Sequence, residues 1–397
     1  MGATPSHRRT PRSALRAVRR RAVAFGARLP RPDRAVCDDL ATWAAGHAGA
    51  ERWAIDAPFT TTRPLPYTTE PQVDESFTPL CSYPVPERAL VKIPRARIRC
   101  APAHPDQEVG LVVLPTGEFV GELVALTPDG RRSMLRPERS FRDPVPANPP
   151  RREGNFYAFL GFGARHYYHW SHDLVMGLRD SAALLPPDTQ LIVPDDLRAF
   201  QAETLALLGL DAHPRLPFAA GECWEVENLY VVTPKLKTQI DSPEPFRWFR
   251  DAAKRRYGIA EGRPSRRLYL TRRDDGHWRT TNEAEVEACL GAYGFETVAP
   301  GDLSFREQIQ LFSDAEVIVG TGAGLFNMVF AAPGAKVLQF QEPSQWVHAL
   351  WTTAAASGVE YHYVLCDSVP GSHDRLPDIH VPIDKLHASL GAMGVDR

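Results

Sequence analysis

The sequence predicts an α/β fold whose last third is a doubly wound parallel sheet. Three observations carry this. From residue 151 onward short apolar strands alternate with helical stretches. Gly320, Gly322 and Gly324 fall at a single strand-to-helix turn. Prolines number 36 in 397 residues, nearly twice the usual share of about 5%, and gather mainly in the first 150, where helices should be scarce.

Each element has its local reason. Val109–Leu114 is an apolar run, Thr116-Gly117 a turn, Glu118–Leu126 an alternating strand and Pro128-Asp129-Gly130 another turn, which together read as a β-meander. Asn155–Phe162 reads as a strand, His166–Leu185 as a helix, Leu191–Val193 as a strand, Leu197–Leu208 as a helix and Leu229–Val232 as a strand. In the last third, Arg267–Leu270, Phe295–Val298, Val317–Val319, Lys336–Phe340 and Tyr361–Leu365 are strands. The helices between them start at Asn282-x-x-Glu285, a capping-box pattern, at Ser304-x-x-Glu307, near Leu325–Ala331 and at Gln345–Ala356.

Composition removes several function classes. Hydrophobic residues at 43% and charged residues at 24% exclude whole-chain disorder, and a formal net charge of −2 excludes a dedicated nucleic-acid binder. Six scattered cysteines without a C-x-x-C pair fit neither a disulfide scaffold nor a structural zinc site, and suit a reducing compartment. Residues 1–35 form a basic arm with ten arginines between Arg8 and Arg34 and no apolar h-region, so a secretory signal is not expected. A transit peptide, a solvated tail, or a basic amphipathic helix around Leu15, Val18, Val23 and Phe25 on an anionic membrane all stay open for it. Val317–Ala335 carries no charge, yet Gly320, Gly322, Gly324, Asn327, Pro333 and Gly334 make it strand, turn and helix rather than a membrane span.

Ligands of open α/β sheets bind beyond the carboxyl ends of the strands. In the last third those ends carry Thr271-Arg272-Arg273, then Arg279 to Glu283, Pro300-Gly301-Asp302, Gly320 to Gly324 and Gln341-Glu342-Pro343. A glycine turn lets backbone N–H groups approach phosphate oxygens at a helix N-terminus, and arginine supplies a matching fork of donors. The rim therefore reads as a diphosphate site, with a packing role for the glycines and a surface role for the arginines kept open. Glu342, 22 residues after Gly320, gives a dinucleotide reading a foothold, but position 325 is Leu where the fingerprint needs glycine. His166-Tyr167-Tyr168-His169-Trp170-Ser171-His172-Asp173 is the other notable run. It can pack aromatics, ligate a metal, or place His169 or Asp173 against a substrate hydroxyl.

These blocks resemble glycosyltransferase family 61. The resemblance rests on Leu268-Tyr269-Leu270-Thr271-Arg272 and Arg279-Thr280-Thr281-Asn282-Glu283. It continues through Leu303-Ser304-Phe305-x-x-Gln308-Ile309, Gly322-Ala323-Gly324-Leu325-Phe326-Asn327-Met328 and Pro333-Gly334, with Tyr168-His169-Trp170-x-x-Asp173 upstream. It covers about residues 155–365. It implies a GT-B-like architecture of two Rossmann-like lobes behind a Pro-rich, β-containing extension. The implied division is an arm at 1–35, an acceptor-side lobe at 36–255 (Pro-rich with the meander to 150, α/β from 151), and a nucleotide-sugar-binding lobe at 256–397.

The resemblance also implies an inverting, metal-independent glycosyltransferase with no cofactor, acting in polysaccharide biosynthesis on a nucleotide sugar and a glycan or lipid-linked acceptor. The expected location is cytoplasmic, with peripheral membrane contact through the basic arm. Carried over by position, His169 and Asp173 are the catalytic candidates. Thr271, Arg272, Arg279, Asn282, Glu283, Thr321, Gly322, Ala323, Gly324, Asn327 and Glu342 are the donor-binding candidates. Two departures stand out: Thr321 where many members have His, and Gln339 where members often have Glu. They keep a second reading in view, a non-catalytic nucleotide-sugar or glycan-binding protein. An NAD(P)-dependent oxidoreductase is the third.

Overall fold

The computed structural model describes residues 36–397 except 105–106, 124–145, 147, 161–162, 234–241, 261–263, 274, 277, 345, 347 and 373–376. The expectations for the basic arm and for the Pro128-Asp129-Gly130 turn fall outside the described residues. The fold is α/β, built on two large sheets.

The second sheet is the one the sequence announces most clearly. Its strands lie in the order Phe295–Val298, Arg266–Leu270, Ala315–Gly320, Lys336–Gln341 and Glu360–Leu365, and all are parallel. The first crossover steps to one side and the later ones to the other, so the order reverses beside Arg266–Leu270, where such sheets bind ligands. Ser304 and Glu307 form the expected reciprocal capping box on the helix Phe305–Ser313.

The other large sheet is mixed rather than parallel. Arg88–His104 is its spine, pairing antiparallel with Cys223–Thr233, Gln107–Val113 and Glu51–Asp56. Arg151–Ala158, Gln190–Pro194 and Arg215–Phe218 then follow parallel to Cys223–Thr233. The meander is present, but its third strand is only Phe119–Val120, and Gly121–Leu123 is a 3-10 turn. Val36–Cys37 pairs alongside, and a Cβ at Gly121 would stand 2.6 Å from the Asp38 carboxylate, so the chain turns there.

A strap joins the two sheets. After Glu51–Asp56 the chain crosses to the parallel sheet, adds Tyr67–Thr68 to its edge beside Glu360–Leu365, and returns as Arg88–His104. Lys385 bonds Glu70 at 2.8 Å, and Trp351 Nε1 donates to the Pro64 carbonyl at 3.2 Å. Phe77 plugs the strap into a ring of Trp346, His348, Trp351 and Tyr363, with centroid separations of 4.7–5.7 Å. One apolar core runs continuously from Leu90, Tyr157 and Val232 through the helices to Leu268, Ile318 and Val337. Phe77→Ala should therefore cost about 3–5 kcal/mol of unfolding free energy, measured by urea denaturation.

Two helical expectations change form. The His-rich helix is wound as a π-helix over His169–Met176 and ends well before Leu185, which follows a 3-10 turn at Ala182–Leu184. The segment after the glycine turn is a 3-10 helix, Ala323–Phe330.

Candidate active site

The strand Arg266–Leu270 runs out at Thr271, and the chain loops past Arg272 and Arg279 before the helix Glu283–Gly291. Glu283 anchors this loop. Its Oε1 accepts from the Thr271 hydroxyl and, at 3.2 Å, from Tyr269 Oη. Arg273 leans on the same helix, 3.4 Å from Glu283 and 2.7 Å from Glu287, as an exposed surface cation.

Arg272 turns the opposite way and lies against the glycine turn. A Cβ at Gly322 would stand 2.9 Å from Arg272 Cζ and 3.2 Å from its Cδ. Gly322 also has φ +79°, so space and backbone both demand glycine there. Burial pushes the Arg272 pKa down while Asp275 and Asp378 pull it up. Gly322 caps the 3-10 helix, whose first N–H groups have no acceptor within the helix. The Thr321 hydroxyl beside it is buried and has no hydrogen-bond partner among the described residues.

Arg279 reaches the same region from the far end of the loop. Its Nη2 and Nε donate to Asp378 Oδ2 at 2.8 and 3.2 Å, and its backbone N–H donates to Oδ1 at 2.9 Å. These bonds raise the Arg279 pKa. The adjoining backbone is zipped together, with Ile379 N–H donating to the Arg279 carbonyl and Thr281 N–H to the Ile379 carbonyl, both at 2.8 Å.

The π-helix carries the second half of the site. Asp173 accepts from two imidazoles at once, His169 Nδ1 on Oδ2 and His172 Nδ1 on Oδ1, both at 2.7 Å. Burial pushes the Asp173 carboxyl up, but the hydrogen bonds and charges of His169 and His172 outweigh it and hold the group below the usual carboxylate range. An ionised carboxylate only accepts, so both rings carry a proton on Nδ1 and the Nε2 of His169 is the ring nitrogen turned away from Asp173. Gly163, at φ +65°, makes room for the His169 ring; a Cβ would come within 2.6 Å of its Cδ2. Tyr168 stacks on His172 at 5.0 Å.

The two halves touch. Tyr167 Oη donates to Asn327 Oδ1 at 2.6 Å, and Asn327 Nδ2 donates to Gln308 Oε1 at 3.0 Å. Phe326 packs edge-on to Tyr167, Tyr168 and His172. The segment that begins at the Arg272-backed glycine turn is therefore also the floor under the His–Asp helix. This ordered series, from Tyr167 to the strand after the glycine turn, is what a family model described as Glycosyltransferase 61 matches, over residues 167–338.

Residues 167–338 are thus similar to glycosyltransferase family 61. The match takes in the whole π-helix, Arg272, Arg279 and the glycine turn, and stops short of Asp378. No curated protein matches it.

Three of the donor-side candidates are engaged by partners within the protein. Asn327 is fully buried, with its oxygen and nitrogen engaged by Tyr167 and Gln308, so it joins the two halves instead of meeting a ligand. Glu342 is fully buried too, accepting from Ser344 N–H at 3.0 Å and from the Ser344 and Ser368 hydroxyls. Its carboxylate is thus engaged by two serines where the dinucleotide reading put a ribose contact. Asn282 forms no reciprocal capping box; its amide pairs with the Val381 backbone, donating to its carbonyl and accepting from its N–H at 2.9 Å each. Sequence reasoning also missed residues that matter here. Asp378 lies 99 positions from Arg279, and nothing local marks it. His172 was visible in the His-rich run, but its bond to Asp173 was not.

Proposed function

We propose that the chain transfers a sugar, with inversion, from a nucleotide-diphosphate donor to a hydroxyl of a glycan or glycoconjugate acceptor, in polysaccharide biosynthesis. The match of residues 167–338 to the Glycosyltransferase 61 model supports a glycosyltransferase. The observation that carries the finer reading is that the helix bearing the imidazole–carboxylate pair His169 and Asp173 packs on the segment opened by the Arg272-backed glycine turn. In this reading the mixed sheet and its helices form the acceptor side and the parallel sheet the donor side of a GT-B arrangement.

The chemistry follows from the residues. His169 Nε2 takes the acceptor proton, the freed oxygen attacks the anomeric carbon, and the bond from that carbon to the diphosphate oxygen breaks. Arg272, Arg279 and the N–H groups after Gly322 stabilise the negative charge that grows on the leaving diphosphate. Two guanidinium groups supply the positive charge this step needs, which is why the proposal assigns no metal ion or cofactor. Among the described residues no helix is long and apolar enough to cross a membrane. In this reading the chain works in the cytoplasm, with the arginine-rich residues 1–35 drawing it to an anionic membrane that carries lipid-linked acceptors; its six scattered cysteines suit that compartment.

A thermal-shift panel of UDP, GDP and NAD tests the donor side. Ligand at 100 times its dissociation constant stabilises by about 2.7 kcal/mol. Melting temperature should rise with UDP or GDP and stay fixed with NAD. A rise with NAD alone defeats the proposal.

A further inference from the structure

We infer that Asp378 is a positioning residue for the donor diphosphate: it fixes the Arg279 guanidinium in the orientation in which that group meets the phosphate oxygens of a nucleotide sugar. The inference rests on the donor-site reading above and adds to it a residue beyond the family-matched segment.

Geometry makes the case. Asp378 is 6% exposed and Arg279 is 49% exposed, so a fixed carboxylate holds the base of a side chain whose outer edge faces solvent. Both Asp378 oxygens accept from Arg279, Oδ1 from the backbone N–H and Oδ2 from Nε and Nη2. A guanidinium has five N–H donors, so three remain for an incoming anion. Asp378 itself cannot swing away. Its N–H donates to Ser372 Oγ and its carbonyl accepts from Val369 N–H, both at 2.8 Å, while Ile379 is zipped to Arg279. Trp278, immediately before Arg279, is buried with φ +59°, a backbone conformation a bulky residue rarely adopts. That turn brings the Arg279 N–H and its side chain to the same carboxylate.

The field of Asp378 also acts on Arg272, which backs the glycine turn. One buried carboxylate thus bonds Arg279 and acts through its field on Arg272, at the other end of the same loop. An untethered arginine loses rotamer freedom each time it binds, whereas a fixed fork has already lost it. Preorganisation is therefore worth more to a diphosphate than the repulsion from Asp378 costs.

The test is a double-mutant cycle read as the dissociation constants of UDP and GDP by calorimetry, with melting temperatures recorded without ligand. Arg279→Ala and Asp378→Asn should each weaken the tighter nucleotide about tenfold, and the double variant should also bind about tenfold, not hundredfold, more weakly. A merely structural Asp378 would lower the melting temperature while its binding loss multiplies with that of Arg279→Ala; that additive result, or wild-type or tighter binding by Asp378→Asn, overturns the inference. Where Asp378→Asn does not fold, Asp378→Glu replaces it in the cycle. It keeps the charge but shifts the fork by one methylene, and wild-type affinity in it counts against the assignment. If neither nucleotide binds the wild type, or Arg279→Ala binds as the wild type does, the donor-site reading itself fails and takes the inference with it.

Discussion

Asp173→Asn should reduce sugar transfer by about 10³–10⁴-fold while leaving donor affinity within a few-fold of wild type. The reason lies in what an amide can offer two imidazoles. The native carboxylate accepts Nδ1–H from His169 on one oxygen and from His172 on the other. Asparagine has one carbonyl oxygen and one NH₂, so one ring must turn acceptor at Nδ1 and move its proton to Nε2. If that ring is His169, the base has lost its lone pair where the acceptor hydroxyl arrives. Single-turnover transfer from a saturating donor measures the effect, and near-wild-type rates would remove Asp173 from the mechanism. The same variant changes acid stability. The native Asp173 carboxyl is held below its ordinary value of 3.8, so its stabilising contribution is complete above that value and fades as pH falls beneath it. Asp173→Asn should lack this contribution at neutral pH and show a shallower loss of stability below about pH 4, seen by denaturation at pH 7 and pH 3.

Where sequence signals are local, the fold could be read from them. The strand Phe295–Val298 lies where the sequence predicts it, and the Ser304 and Glu307 pattern becomes a reciprocal cap, because both depend on neighbouring residues. Arg88–His104 was not legible. It contains Pro94, Pro102 and four arginines, and is strand because it pairs with Cys223–Thr233, more than a hundred residues away. The π-winding of His169–Met176 was hidden for a related reason: apolar spacing of three and four is common to both helix types.

The site divides the same way. Residue chemistry placed Arg272 and Gly322 on one rim, and the structure packs them together. Chemistry alone could not separate Glu342 from Glu283, since both carboxylates follow parallel strands. Burial separates them, Glu342 closed off with two serines and Glu283 at 11% exposure against Thr271 and Tyr269.

Arg272→Ala should lower kcat/KM for the donor by about 10²–10³, the loss typical of removing one donor aimed at developing charge. Arg272 is held by packing, its guanidinium 15% exposed and lying on Gly322, so the turn and the side chain are one unit. Gly322→Ala should therefore imitate Arg272→Ala. The new methyl meets Cζ and Cδ of the arginine and drives the guanidinium off the turn, while φ +79° adds strain of roughly 1–2 kcal/mol for any L side chain. Combining the two substitutions separates these effects. With Arg272 already gone, Gly322→Ala has no guanidinium to displace, so the catalytic losses should not multiply, and the destabilisation should fall to the backbone strain alone. Steady-state kinetics with varied donor and urea denaturation of all three variants read out both quantities. Losses that multiply fully would mean that the turn and the arginine act on the donor separately, and that their contact is incidental to transfer.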